Sequence, residues 1–104
     1  MADLFSSEAT PPADWEPTFE LAGLQLVFAG DVPAASSVPI VDLGEADYPA
    51  MRALIDVTRP GPFWPRTPEL GTYLGVRDDD GTLVAMAGER LQPPGWTEIS
   101  AVCT

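Results

Sequence analysis

Glu98 is the only charged residue in the run over residues 97–103, which is rich in β-branched side chains. Side chains alternate along a strand, so we expect Glu98 to share a face with Ser100 and Val102. A carboxylate that is partly removed from water has a raised pKa and can work as a general base. The alternative is a glutamate in water, which is the commoner position of a charged residue in a strand.

Three further features have both a chemical and a structural interpretation. The aromatic residues Phe63, Trp64 and Trp96 can line a substrate pocket, although such side chains more often fill a core. The acidic run over residues 78–80 lacks the spaced ligands of a calcium loop and is typical of a solvated hairpin tip. Cys103 is predicted to be a small buried apolar residue, because no histidine is present to activate its thiol.

The composition excludes several classes of function. The chain has 104 residues, 16 acidic and five basic side chains, no histidine and one cysteine, which gives a net charge of −11. Serine–histidine triads, histidine metal sites and an internal disulfide framework are therefore excluded within this chain, and we predict no metal. The negative charge disfavours nucleic acid and anionic membranes. No signal peptide, presequence or membrane span is evident, so we expect a cytoplasmic protein.

The first two-thirds of the chain predicts two strands and one main helix. Short apolar runs predict strands over residues 24–28 and 38–43. Residues 47–58 follow a helical period with Asp47 as the N-cap, and Pro60 ends the helix. The proline-rich loop that follows leads to a short second helix, with Thr67 as its N-cap and Pro68 in the first helical position.

The last third predicts a three-stranded antiparallel meander. Strands over residues 72–77, 82–91 and 97–103 are separated by the turn sequences Asp79-Asp80-Gly81 and Pro93-Pro94-Gly95. The predicted fold class is α/β of the α+β kind, with a mostly antiparallel sheet.

Four motifs then indicate a family. They are TRPGPF at 58–63, PRTPELG at 65–71, AMAGERL at 85–91 and TEISAVCT at 97–104. With these motifs, residues 38–104 resemble the first half of a GNAT-superfamily N-acetyltransferase of the bacterial FR47-like group. We therefore expect an acidic, loose segment over residues 1–23 and a truncated GNAT-like domain over residues 24–104.

The resemblance implies a function and a site. In the family an acetyl group passes from acetyl-CoA to an amine, here a small-molecule or peptide amine. Glu98 corresponds to the glutamate that some relatives use as the base. The backbone of Val102, Cys103 and Thr104 would pair with the pantetheine arm of acetyl-CoA, and Phe63 and Trp64 would form part of the acceptor wall.

One family element has no counterpart in this sequence. The family binds the CoA pyrophosphate with an Arg/Gln-x-x-Gly-x-Gly/Ala loop after the strand that ends near Thr104. We therefore expect a truncated chain that is inactive alone, with an unpaired sheet edge and an uncovered apolar sheet face. The alternative function is a non-catalytic acidic interaction module that associates through this edge.

Overall fold

The computed structural model describes residues 10–104, which divide into two units on either side of the Pro33–Ala34 bond. All helices and strands of the described residues lie in the second unit, residues 34–104. In chain order they are β1 (Val41–Leu43), a first 3₁₀ helix (Glu45–Asp47), α1 (Tyr48–Thr58), a second 3₁₀ helix (Thr67–Leu70), β2 (Tyr73–Arg77), β3 (Leu83–Glu89) and β4 (Ile99–Cys103).

The four strands form one antiparallel sheet in the order β1-β2-β3-β4. This arrangement confirms the α+β fold class and the meander of the last three strands. Helix α1 packs on one face of the sheet and contacts β3 and β4. The core between them consists of Met51, Ile55, Phe63, Tyr73, Leu83, Met86 and Cys103.

Helix α1 confirms the predicted helical stripe. Met51 and Ile55 are buried, and Leu54 packs against them at the margin of the core. Asp47 occupies the N-cap position, but its carboxylate does not cap the helix. It instead accepts hydrogen bonds from the Gly44 N–H at 2.9 Å and from the Arg77 guanidinium, and these bonds fasten the start of α1 to β2.

Helix α1 ends at a left-handed residue. Arg59 is the C-cap with φ of 49°, and its N–H donates to the Ile55 carbonyl. This conformation is a common helix ending, although glycine usually occupies the position. The chain then enters the proline-rich loop, where the Thr67 hydroxyl accepts a hydrogen bond from the Trp64 N–H at 2.8 Å. The second 3₁₀ helix begins at Thr67 with Arg66 as its N-cap, one residue earlier than predicted, and Pro68 lies in its first turn.

The β2–β3 hairpin is closed by the predicted Asp-Gly turn. Asp78 accepts the N–H groups of Asp80 and Thr82 on its carboxylate, and Gly81 has φ of 82°. Only glycine adopts this left-handed conformation without a steric penalty from Cβ. The acidic run is therefore an exposed hairpin tip in which Asp78 organises the turn.

The strand predicted over residues 24–28 is wrong. Residues 10–33 of the first unit contain no helix or strand, and Leu24 and Leu26 are 91% and 87% exposed. A five-residue apolar run becomes a strand only when another strand pairs with its backbone, and within the described residues none does. The domain boundary expected between residues 23 and 24 stays a prediction.

Residues 10–104 contain neither a membrane-spanning helix nor a cluster of metal ligands. No helix there has the length and apolar character needed to cross a membrane. No group of three or more acidic, cysteine or histidine side chains in the same range is arranged to hold a metal ion.

Candidate functional site

β4 is an edge strand of the sheet. It pairs with β3 on one side, and within residues 10–104 no strand lies on its other side. Met86 pairs with Cys103 and Gly88 pairs with Ser100, so Ala87 of β3 faces two residues of β4, Ala101 and Val102. This two-against-one arrangement is a β-bulge, which bends a strand and removes one residue from the ladder.

The bulge forces an unusual backbone conformation. Ala101 has φ of 51°, in the left-handed region that glycine favours. An alanine held there stores strain on the order of 1–2 kcal/mol. Strained backbone of this kind is concentrated at functional sites, so the bulge marks this part of β4 as a candidate site.

The bulge also reverses the side-chain alternation expected for β4. Cys103 lies on the core face opposite Met86 and is 8% exposed, whereas Val102 is 62% exposed. The prediction that Val102 shares a face with Glu98 and Ser100 is therefore wrong. The extra residue at the bulge shifts the alternation by one position.

Glu98 lies immediately before β4 and forms an ion pair. Its two carboxylate oxygens accept hydrogen bonds from Nε and Nη2 of Arg90 at 3.0 and 2.5 Å. The backbone holds this geometry, because the Glu98 N–H donates to the Leu91 carbonyl and the Arg90 N–H donates to the Glu98 carbonyl. The side chains of Arg90 and Glu98 are 24% and 33% exposed.

The ion pair changes the environment expected for Glu98. The carboxylate lies against a guanidinium rather than on an apolar sheet face. Two parallel N–H donors fix its orientation, which is the property that sets bidentate arginine pairs apart. The Glu98 carboxylate therefore has a defined orientation at this end of the sheet.

Phe63 and Trp64 have different environments. Phe63 is 8% exposed, and its ring meets the Tyr73 ring edge to face at a centroid distance of 6.0 Å. Trp64 is 57% exposed on the proline-rich loop. A cleft of about 360 Å³ lies between this loop and the last turns of α1, and Phe63 forms part of its wall.

Arg52 ties α1 to that loop. Its Nη1 donates to the Phe63 carbonyl at 3.1 Å, and its Nε forms an ion pair with Asp56, one turn further along the helix, at 3.0 Å. Phe63 therefore has a fixed position between the cleft and the core, whereas the Trp64 side chain projects into solvent.

Two residues of this region, Arg90 and Tyr73, were not predicted from the sequence. Arg90 lies eight residues before Glu98, across the Pro93-Pro94-Gly95 turn, so the opposite charges flanking this turn were an available signal. Tyr73 is 2% exposed, and burial raises the pKa of its phenol, although the Arg90 charge offsets part of that shift. No sequence signal distinguishes Tyr73 from an ordinary core aromatic residue.

A solved structure resembles this arrangement. The crystal structure of a protein assigned to the GNAT family of acetyltransferases, from Novosphingobium aromaticivorans DSM 12444, matches with a TM-score of 0.65 and 50% sequence identity. The match covers 72% of this chain and 34% of that chain. The chain has part of the GNAT fold.

The GNAT match supports the superfamily expected from the four motifs. This chain spans about a third of the length of the matching acetyltransferase. No family model matches the chain, and no curated protein matches it.

Proposed function

We propose that this chain is the acceptor-side part of an acetyl-CoA-dependent N-acyltransferase of the FR47-like group. The observation that carries the proposal is the 50% identity to a GNAT acetyltransferase over most of this chain. The edge strand with its bulge and the oriented carboxylate beside it supply the local chemistry.

Glu98 is the proposed general base. An amine attacks a thioester only after it has lost a proton, and a carboxylate held immediately before β4 accepts that proton directly or through one water. Arg90 orients the carboxylate and balances its charge before the transfer. The amine nitrogen forms the new bond to the acetyl carbon, and CoA leaves as the thiolate and is then protonated.

The open side of β4 is the proposed cofactor edge. The backbone of Val102, Cys103 and Thr104 would pair with the pantetheine arm, as a further strand pairs with a sheet edge. The bulge at Ala101 bends β4 just before these residues, and a bend at this point re-aims the backbone groups that follow it. The buried Cys103 side chain anchors this segment to the core.

Phe63 and Trp64 are the proposed acceptor wall. Phe63 contributes from the buried side, where it contacts Tyr73, and Trp64 contributes from the exposed loop. The excess of carboxylates favours a cationic amine acceptor, because it raises the local concentration of cations.

The test of this proposal replaces the proposed base, Glu98, in an enzyme of full length. The chain is joined to the remaining part of the matching N. aromaticivorans acetyltransferase, and CoA release is assayed with a panel of amines. We expect Glu98→Gln to lower the rate by about 10²–10⁴-fold at neutral pH, the range attributed to general-base catalysis. Glu69→Gln is the matched control, since Glu69 also pairs with an arginine but at an exposed position of the second 3₁₀ helix.

Two results decide the proposal. Equal rates for the Glu98→Gln and Glu69→Gln proteins would remove Glu98 from the mechanism. The absence of CoA release with every amine in a folded fusion protein would contradict the acyl-transfer function itself. This chain alone, whose match covers 34% of that acetyltransferase, is expected to bind acetyl-CoA only weakly in calorimetry.

A further inference from the structure

The Tyr73 hydroxyl is buried without a partner. Its oxygen is shielded from solvent and makes no hydrogen bond within the described part of the chain. Buried hydroxyl groups are almost always hydrogen-bonded, because an unpaired one loses its bonds to water without compensation. An unpaired group of this kind therefore needs an explanation. One explanation is a ligand that accepts a hydrogen bond from the hydroxyl.

The fold holds the Tyr73 ring in one position. Gly88 lies directly across the ladder from Tyr73, and a Cβ on Gly88 would come within 2.2 Å of the tyrosine ring. The Phe63 ring packs edge to face against the other part of the phenol. Only glycine at position 88 leaves room for the ring, so the position of the hydroxyl is a property of the scaffold.

The hydroxyl lies at the same end of the sheet as Glu98. Gly88, beneath the ring, pairs with Ser100, which is two residues from Glu98. Arg90, the ion-pair partner of Glu98, is close enough for its charge to act on the phenol. Arg90 therefore pairs with Glu98 and is also near the buried phenol of Tyr73.

The chemistry of the hydroxyl defines its partner. Burial keeps the phenol protonated at neutral pH, so the group can donate a hydrogen bond. A donor of this kind needs a hydrogen-bond acceptor on the ligand. A carbonyl or carboxylate oxygen meets this requirement, whereas an ammonium group, which only donates, does not.

We propose that the Tyr73 hydroxyl donates a hydrogen bond to an oxygen that the acceptor carries next to its amine. This inference rests on the proposed acyl-transfer function and narrows the acceptor to amines with a neighbouring carbonyl or carboxylate, such as amino acids, their amides and peptide amino termini. Tyr73 orients the acceptor while Glu98 takes the proton from its nitrogen.

The experiment uses the 104-residue chain and three probes in NMR titrations. Glycinamide presents a carbonyl oxygen, glycine presents a carboxylate, and ethylamine presents neither. We expect the chain to bind glycinamide or glycine more tightly than ethylamine, and the tighter of the two identifies the oxygen. Tyr73→Phe should reduce this preference by roughly fivefold, the effect of one lost hydrogen bond, and leave ethylamine binding unchanged.

Tyr48→Phe is the matched control. Tyr48 is the other tyrosine of the chain and lies partly buried at the start of α1. This substitution should leave the preference among the three probes unchanged. Tyr73→Phe should also raise Tm slightly, because it removes an unpaired buried hydroxyl and keeps the ring.

Three results would overturn the inference. They are equal affinity of the unmodified chain for all three probes, an unchanged preference in Tyr73→Phe, and a lower Tm in Tyr73→Phe, which would show that the hydroxyl has a protein partner. These results are distinct from failure of the proposed function. A fusion protein that releases CoA but does not depend on Tyr73 contradicts only this inference, and a Tyr73-dependent probe site without CoA release contradicts only acyl transfer.

Discussion

The two faces of the sheet differ in how they are covered, although both are apolar. On the face that packs against α1, Tyr73, Met86 and Cys103 are 2%, 3% and 8% exposed. On the opposite face, Leu74 and Val102 are 42% and 62% exposed. The second face is therefore the more exposed of the two within the described residues. The hydrophobic stabilisation of this unit consequently comes almost entirely from one face.

The substitution with the largest expected effect on stability is Met51→Ala, on the covered face. Met51 is fully buried at the centre of the covered face, so the substitution removes its packing and leaves a cavity. We expect a loss of about 2–5 kcal/mol in the free energy of unfolding, measured by urea denaturation. A loss below about 1 kcal/mol would show that the covered face is not the main source of stability.

Ala101→Gly tests the bulge in β4, where the extra residue changes which side chains lie on each face of the sheet. Glycine adopts φ of 51° without strain, so we expect a gain of about 1 kcal/mol in stability. Arg59→Gly, at the other left-handed residue, is the control and should give a gain of similar size. If only Arg59→Gly stabilises the protein, the bulge at Ala101 is not strained.

The pH dependence tests the ion pair that joins α1 to β2 beside the covered face. Hydrogen bonds from the Gly44 N–H and from Arg77 hold the pKa of Asp47 below its ordinary value. The stabilisation from Asp47 is therefore complete above the unfolded pKa of about 3.9 and is lost as the pH falls through the lower folded value.

Asp47→Asn should consequently lower the urea midpoint at pH 7 and have progressively less effect below about pH 3.9. Glu69→Gln, in an exposed pair, provides the reference for a smaller change. A constant difference between Asp47→Asn and the unmodified protein from pH 7 to pH 2 would contradict this assignment.

The smallest effect is expected on the open face. Leu74→Thr keeps a residue suited to strands and removes a side chain that is already 42% exposed. We expect a change in stability of about 0.5 kcal/mol or less, since surface substitutions rarely exceed that value. A loss comparable to that of Met51→Ala would show that something covers Leu74 in solution.

The sequence predicts the local elements well and their consequences for the site less well. Helix α1, the Asp-Gly hairpin and the meander follow from apolar periodicity and turn residues, and the structure confirms them. The strand over residues 24–28 fails because its existence depends on a distant pairing partner. An apolar run is the same whether or not such a partner exists.

The candidate site shows the same limit at finer scale. Glu98 can be selected from the sequence as an isolated carboxylate, but its ion pair with Arg90 depends on the register across a turn. The bulge at Ala101 is invisible because alanine carries no signal for a left-handed conformation. One extra residue in the ladder was enough to place Val102 and Ser100 on different faces, although Cys103 is buried as predicted.

The order of the strands has a consequence for how quickly this unit forms. Each strand pairs with its neighbour in the sequence, and the tightest link, the β2–β3 hairpin, needs only a five-residue connection. Chains dominated by such short-range pairings close small loops and cross low entropic barriers during folding. The hairpin around Gly81 is therefore the expected nucleus onto which α1 and β4 later dock.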